Sequence, residues 1–93
     1  MEYPSTNARQ IVRQFILDTF IFDPDNRERL TDELPLIEEG ILDSFGIHEV
    51  LLFLEDKFGI DVEDEEIVAS NFGSISAIVA FVQRKLSPSD VTI

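Results

Sequence analysis

The stretch Asp43-Ser44-Phe45-Gly46-Ile47-His48-Glu49-Val50-Leu51-Leu52-Phe53-Leu54-Glu55-Asp56-Lys57-Phe58-Gly59 decides the fold of this chain. Ile47, Val50, Leu51, Leu54 and Phe58 recur at i, i+3, i+4, i+7 and i+11, which is the spacing of one face of an α-helix. Asp43 and Ser44 are both residue types that cap a helix start, and Gly59 is the type that ends one. The pattern predicts a helix from Asp43 or Ser44 to Phe58. At about 100° per residue, Phe45, Glu49, Leu52 and Asp56 fall within about 60° of one another on the side opposite that stripe. Large apolar residues interleaved with carboxylates on a solvent face make a candidate docking surface, although isolated exposed apolar residues are also ordinary.

Upstream, Ser5-Thr6-Asn7 offers three possible caps before a stripe of Ala8, Ile11, Val12, Phe15 and Ile16, which predicts a helix from about Ala8 to Phe20. Asp23-Pro24-Asp25-Asn26 reads as a break, followed by a long connection to Gly40-Ile41-Leu42 whose apolar residues would fold it back over the core. Downstream, Glu63 to Val68 reads as a single helical turn with acids at its start. After Gly73 and Ser74, the residues Ile75, Ile78, Val79, Val82 and Leu86 repeat the i, i+3, i+4, i+7, i+11 spacing, with Arg84 and Lys85 in the last turn. Three main helices and one short one, with no alternating strand pattern, predict an all-α bundle. The 93 residues are read as one domain with a helical core over about 8–86 and a frayed tail over 87–93.

Charge narrows the function classes. Nineteen Asp and Glu stand against seven Lys and Arg, a formal charge of −12, and from Asp32 to Glu66 there are 13 carboxylates and one base, Lys57. Such a chain repels nucleic-acid phosphates and anionic lipid surfaces, so basic protein surfaces are the expected partners. The absence of cysteine excludes disulfides, thiolate metal sites and a thiol nucleophile, and it fits a reducing cytoplasm. No stretch approaches the ~20 apolar residues that span a bilayer, and Met1-Glu2-Tyr3-Pro4 carries no basic leader pattern. The expectation is a soluble, stand-alone protein.

Catalysis and metal binding find little support. Ser44 and His48 lie one turn apart on one helix, a spacing that permits a serine–imidazole contact. The chain has no Gly-x-Ser-x-Gly elbow and no defined oxyanion hole, so no catalytic residues are expected. Asp23-x-Asp25-x-Arg27 and Asp61-x-Glu63-x-Glu65 echo a calcium loop, but Glu28 and Glu66 stand where its turn needs Gly, and Leu34 and Phe72 where it needs Glu. No metal site is expected. Ser44 is the hydroxyl in the most informative setting. It opens the strongest helix, where unpaired N–H groups and the positive dipole end would compensate a phosphodiester. The alternative is that Asp43 or Ser44 serves only as the N-cap.

The run from Leu36-Ile37-Glu38-Glu39-Gly40-Ile41-Leu42-Asp43-Ser44 to Ile47, with Phe53-Leu54-Glu55-Asp56-Lys57-Phe58-Gly59-Ile60-Asp61-Val62 after it, closely resembles the acyl and peptidyl carrier protein family. There an Asp-Ser-Leu motif opens the second helix and a Leu-Glu-x-x-Phe-Gly-Ile segment closes it. Asn71-Phe72 and the helix to Leu86 extend the likeness over nearly the whole chain. The resemblance implies a non-catalytic monomeric carrier. Its Ser44 would receive a 4'-phosphopantetheine arm from coenzyme A, through a phosphopantetheinyl transferase that holds its own divalent metal. The arm's thiol would bear an acyl or aminoacyl thioester, loaded by an acyl or aminoacyl ligase or transferase and passed to downstream synthase enzymes. By the same resemblance Asp43 helps orient the modification site, and Phe45, Glu49, Leu52 and Asp56 form the helix that partners read. Phe45 departs from the family's usual Leu, which would narrow the partners that accept this carrier, and Gly46 weakens the first turn slightly. The rival reading is an unmodified acidic helical adaptor that binds a partner through the 44–58 helix. Modification separates the two, and Ser44→Ala is expected to abolish it at a capping cost of about 0.5–2 kcal/mol.

Overall fold

Helix α1 (Ser5–Phe20) carries Ala8, Val12 and Ile16 one turn apart, and α5 (Ile75–Leu86) carries Ile75, Ile78, Val79 and Val82; both stripes are buried, and the two helices pack against each other. A computed structural model describes residues 5–86, with residues 5, 6 and 26 described in backbone alone. The expected tail over 87–93 lies outside the described residues. Between α1 and α5 come α2 (Pro24–Arg29), α3 (Ser44–Phe58), a 3₁₀ turn at Asp64–Glu66 and α4 (Ala69–Phe72), and no strand occurs among the described residues. The fold is an all-α bundle.

Helix α3 completes the core with Val50, Leu51, Leu54 and Phe58, while Ile47 is half-buried against it. Its exit follows the expectation. Gly59 takes φ +68° and its N–H donates to the Glu55 carbonyl at 3.0 Å, a left-handed stop that a side chain would strain. At the start of α5, the Ser74 side-chain oxygen accepts from the Ala77 N–H at 3.1 Å, satisfying a donor of the first turn.

The expected long connection is shorter and more ordered than the sequence suggested. Asp23 caps α2 by accepting the Asp25 N–H at 3.1 Å, and Pro24 sits at the first helical position, where its missing N–H costs nothing. Arg27 of this helix donates to the carbonyls of Leu17 and Ile21 at 3.1 and 2.9 Å, the first of which also accepts the Ile21 N–H at 3.3 Å, and so ties α2 to the end of α1. From Leu30 to Asp43 the backbone has no regular element, yet Leu30, Leu36 and Leu42 are fully buried. Polar contacts fix the same segment: Arg9 and Arg13 reach the Asp32 carboxylate at 2.6 and 3.3 Å, and Arg13 also donates to the Leu30 carbonyl at 2.7 Å. The Leu36 N–H donates to Gly73 at 2.7 Å, and its carbonyl accepts from Ile41 and Leu42 at 2.9 and 3.1 Å. The segment that delivers the chain to α3 is therefore anchored on both sides of the bundle.

Three expectations need correction. Ser5, Thr6 and Asn7 lie inside helix α1 and not ahead of it, so the helix includes residues before the expected start at Ala8. The break at Asp23–Asn26 is a helix start. The turn expected over Glu63–Val68 is a three-residue 3₁₀ turn, followed by α4, which has too few residues to show a period. Tertiary packing holds α4: Phe72 is fully buried against Phe81, with ring centroids 5.5 Å apart. Lys85 pairs with Glu66 at 3.0 Å, and the Glu63 N–H donates to the same carboxylate at 2.9 Å. The backbone N–H foremost, then the ammonium, hold Glu66 below the usual carboxylate range.

Candidate functional site

Asp43, in an extended conformation at φ −107° and ψ −170°, is the residue that caps α3. Its Oδ1 accepts the Gly46 N–H at 2.8 Å, and its carbonyl accepts from Ile47 at 2.8 Å. Ser44 is then the first helical residue, and its side chain is exposed. No hydrogen bond to the Ser44 hydroxyl, or to the N–H groups of Ser44 and Phe45, occurs among the described residues. The two alternatives for the helix start are resolved in favour of Asp43, which leaves the serine oxygen uncommitted.

This division of labour revises the expected cost of Ser44→Ala. At the first helical position the substitution removes no capping contact, so the variant should unfold within about 0.5 kcal/mol of the parent. Asp43→Ala should instead lose about 0.5–2 kcal/mol, because the Gly46 N–H is left without its partner. Urea denaturation of both variants measures the difference. A greater loss from Ser44→Ala than from Asp43→Ala would reverse the capping assignment.

Gly46 has a role that the sequence did not disclose. A Cβ there would stand 3.2 Å from Phe20 Cε1 and 3.3 Å from Leu42 Cδ2, so its lack of a side chain lets the start of α3 close against the end of α1. The modest loss of helix propensity is offset by this approach. Further along, Phe53 stacks on Phe15 with ring centroids 3.9 Å apart and planes 12° from parallel, which pins α3 to α1 at a second level.

The face opposite the core stripe is as the spacing predicts, with one adjustment. Phe45 is 71% exposed, Leu52 is 50% exposed, and Asp56 is open to solvent, whereas Glu49 is half-buried. Two apolar side chains and two carboxylates line one side of α3, running from beside Ser44 towards Asp56. His48 is exposed one turn from Ser44, with no hydrogen bond between them among the described residues. Asp23, considered as a cation ligand, is a helix cap, and no group of three His, Cys, Asp or Glu side chains converges as a metal site among the described residues. A groove of about 510 Å³ opens between the 33–38 segment and α4–α5, lined by Pro35, Ile37, Gly73 and Ala77, but it contains no residue of α3. The serine is thus presented on an open helix end.

The chain is similar to the probable acyl carrier protein PigG of Serratia sp. (strain ATCC 39006), at 33% identity over 58 residues, which cover 62% of this chain and 67% of that protein. No family model matches the chain. Among the described residues, no helix is long and apolar enough to cross a membrane.

Proposed function

Because this chain belongs to the acyl carrier protein family, we propose that Ser44 bears a 4'-phosphopantetheine arm and that the protein presents acyl or aminoacyl groups on it to partner enzymes. One observation carries the assignment to this residue: the hydroxyl at the first position of α3 is exposed and unbonded, because Asp43 does the capping. The surroundings fit the group. A phosphodiester on Ser44 Oγ would sit beside the free N–H groups of the first turn, where the helix dipole favours negative charge. Asp43 holds that turn in register through Gly46, so its part is positional.

A phosphopantetheinyl transferase joins Ser44 Oγ to the phosphorus that carries the pantetheine unit. The diphosphate bond of coenzyme A breaks, the nucleotide half leaves, and the serine proton passes to a base on the transferase. The arm supplies a thiol, the group that a cysteine-free chain lacks for thioester formation. Tethering gives the cargo a high effective concentration at each enzyme that the carrier meets. Phe45 and Leu52 would enter apolar pockets on acyl or aminoacyl ligases, transferases and downstream synthase enzymes, with Glu49 and Asp56 facing basic side chains. Attraction of this kind is fast and screened by salt, which suits a monomeric cytoplasmic shuttle with successive partners.

Intact-protein mass spectrometry after incubation with coenzyme A, Mg²⁺ and a broad-specificity transferase tests the proposal. One added arm per chain supports it. A folded protein that several transferases leave unlabelled would belong to the unmodified adaptor reading instead. The docking face has its own test, reversal of charge in the double variant Glu49→Lys, Asp56→Lys. Its transfer rate at low salt should fall roughly tenfold, and the salt dependence should flatten, while helix content stays the same. Unchanged rate and salt dependence would remove these two residues from the interface.

A further inference from the structure

Phe22 is the most exposed large hydrophobic side chain among the described residues, at 76%, and the α3 docking face does not include it. Two contacts set its place. Phe15 meets Phe53, and Phe20 Cε1 lies 3.2 Å from where a Cβ on Gly46 would stand. As residue numbers rise along α1 they fall along α3, so the helices are antiparallel and α1 ends where α3 begins. Phe22 stands two residues beyond Phe20, and Ser44 two residues before Gly46. With successive Cα atoms about 3.8 Å apart, each overhang is at most about 7.6 Å. Both residues therefore fit within a standard footprint of about 800 Å² per partner, which is roughly 30 Å across.

The surroundings of Phe22 are acidic. Asp23, Asp25 and Glu28 are exposed beside it, as is Asp18 in the last turn of α1. Of the two cations on α2, Arg27 is turned back onto the carbonyls of Leu17 and Ile21 and lies 3.8 Å from Asp18, and Arg29 lies 3.6 Å from Glu39. An aromatic ring rimmed by carboxylates has the same composition as the face made by Phe45, Leu52 and Asp56, and complements an apolar pocket with a basic rim.

Reach decides which partner covers this end. Enzymes that act on the cargo meet it at the tip of a long arm, so a grip on Phe45 and Leu52 of α3 suffices for them and the end of α1 need not be covered. The transferase alone must bring its reacting phosphorus to bonding distance of Ser44 Oγ, so its surface must lie over the start of α3 and the adjoining end of α1. We infer that Phe22 is a second anchor for the phosphopantetheinyl transferase, inserted into an apolar, basic-rimmed pocket while Phe45 is held from α3. This inference rests on the carrier reading of Ser44.

Steady-state kinetics of a broad-specificity transferase, with coenzyme A, Mg²⁺ and the unmodified carrier as varied substrate, test it on the Phe22→Ser variant. The expected result is a KM raised about tenfold with kcat within about twofold, since the ring acts in binding. Phe22→Leu should recover most of the loss. Circular dichroism should match the parent for both variants, because the side chain lies outside the core. An unchanged KM for Phe22→Ser, with the parent labelled normally, overturns the second anchor and leaves the carrier reading intact. A parent chain that is never labelled removes both.

Discussion

Ser44→Ala is expected to abolish labelling by coenzyme A and a phosphopantetheinyl transferase completely, with no measurable loss of fold. The chemical half of this expectation is strict, because a phosphodiester needs an oxygen and alanine has none. The structural half follows from the capping assignment: Gly46 keeps its bond to Asp43 Oδ1, and the buried stripe from Val50 to Phe58 is untouched. Intact mass and thermal unfolding, measured on the same sample, separate the two halves. A variant that still gains an arm would place the attachment on another residue. A variant that is unlabelled but also unfolded would say nothing about chemistry, so Ser44→Thr provides the second arm of the test. Its oxygen is retained on a β-branched residue at a first-turn position that tolerates it, so it should fold. Partial labelling of Ser44→Thr beside none for Ser44→Ala would tie the loss to the hydroxyl itself.

Helix α3 was legible in the sequence because every local signal agreed there: five apolar positions in phase, a capping residue before them and a glycine after. The candidate site was legible for the same reason, since Ser44 and the Phe45–Asp56 face take their positions from that one helix. What one helix cannot reveal is which of two adjacent capping residues bonds the backbone. Only the geometry of Asp43 separated cap from free hydroxyl. Helix α2 was obscured by Pro24, which ends a helix when it falls inside one and begins a helix when it follows a cap. Gly46 carried no sequence signal of its contact with Phe20 and Leu42, because close approach is a property of two segments. The 30–43 connection looked loose for a related reason. Its order comes from Arg9 and Arg13, more than a dozen residues away in sequence, and from leucines spaced six apart with no helical period.

Phe72→Ala is expected to have the greatest effect on stability of the substitutions considered, a loss of about 3–5 kcal/mol on urea unfolding. A domain of this length has a total of only about 5–14 kcal/mol, so the variant would lie near its unfolding threshold. The magnitude follows from the placement of the side chain. Phe72 is fully buried, tilted against Phe81, and ends a helix of four residues that is far too short to persist by its own hydrogen bonds. Removing the ring leaves a cavity and takes away what holds α4 to α5. The next residue, Gly73, offers its carbonyl to the Leu36 N–H, and Leu36 in turn receives Ile41 and Leu42 just before the cap of α3. Loosening α4 should therefore reach the segment that presents Ser44. Hydrogen exchange of the Leu36, Ile41 and Leu42 amides should accelerate in Phe72→Ala under conditions where the α1 interior remains protected. A loss below about 1 kcal/mol would mean that the surroundings collapse to fill the space. Unchanged exchange at Leu36 would mean that α4 and the approach to Ser44 are held independently.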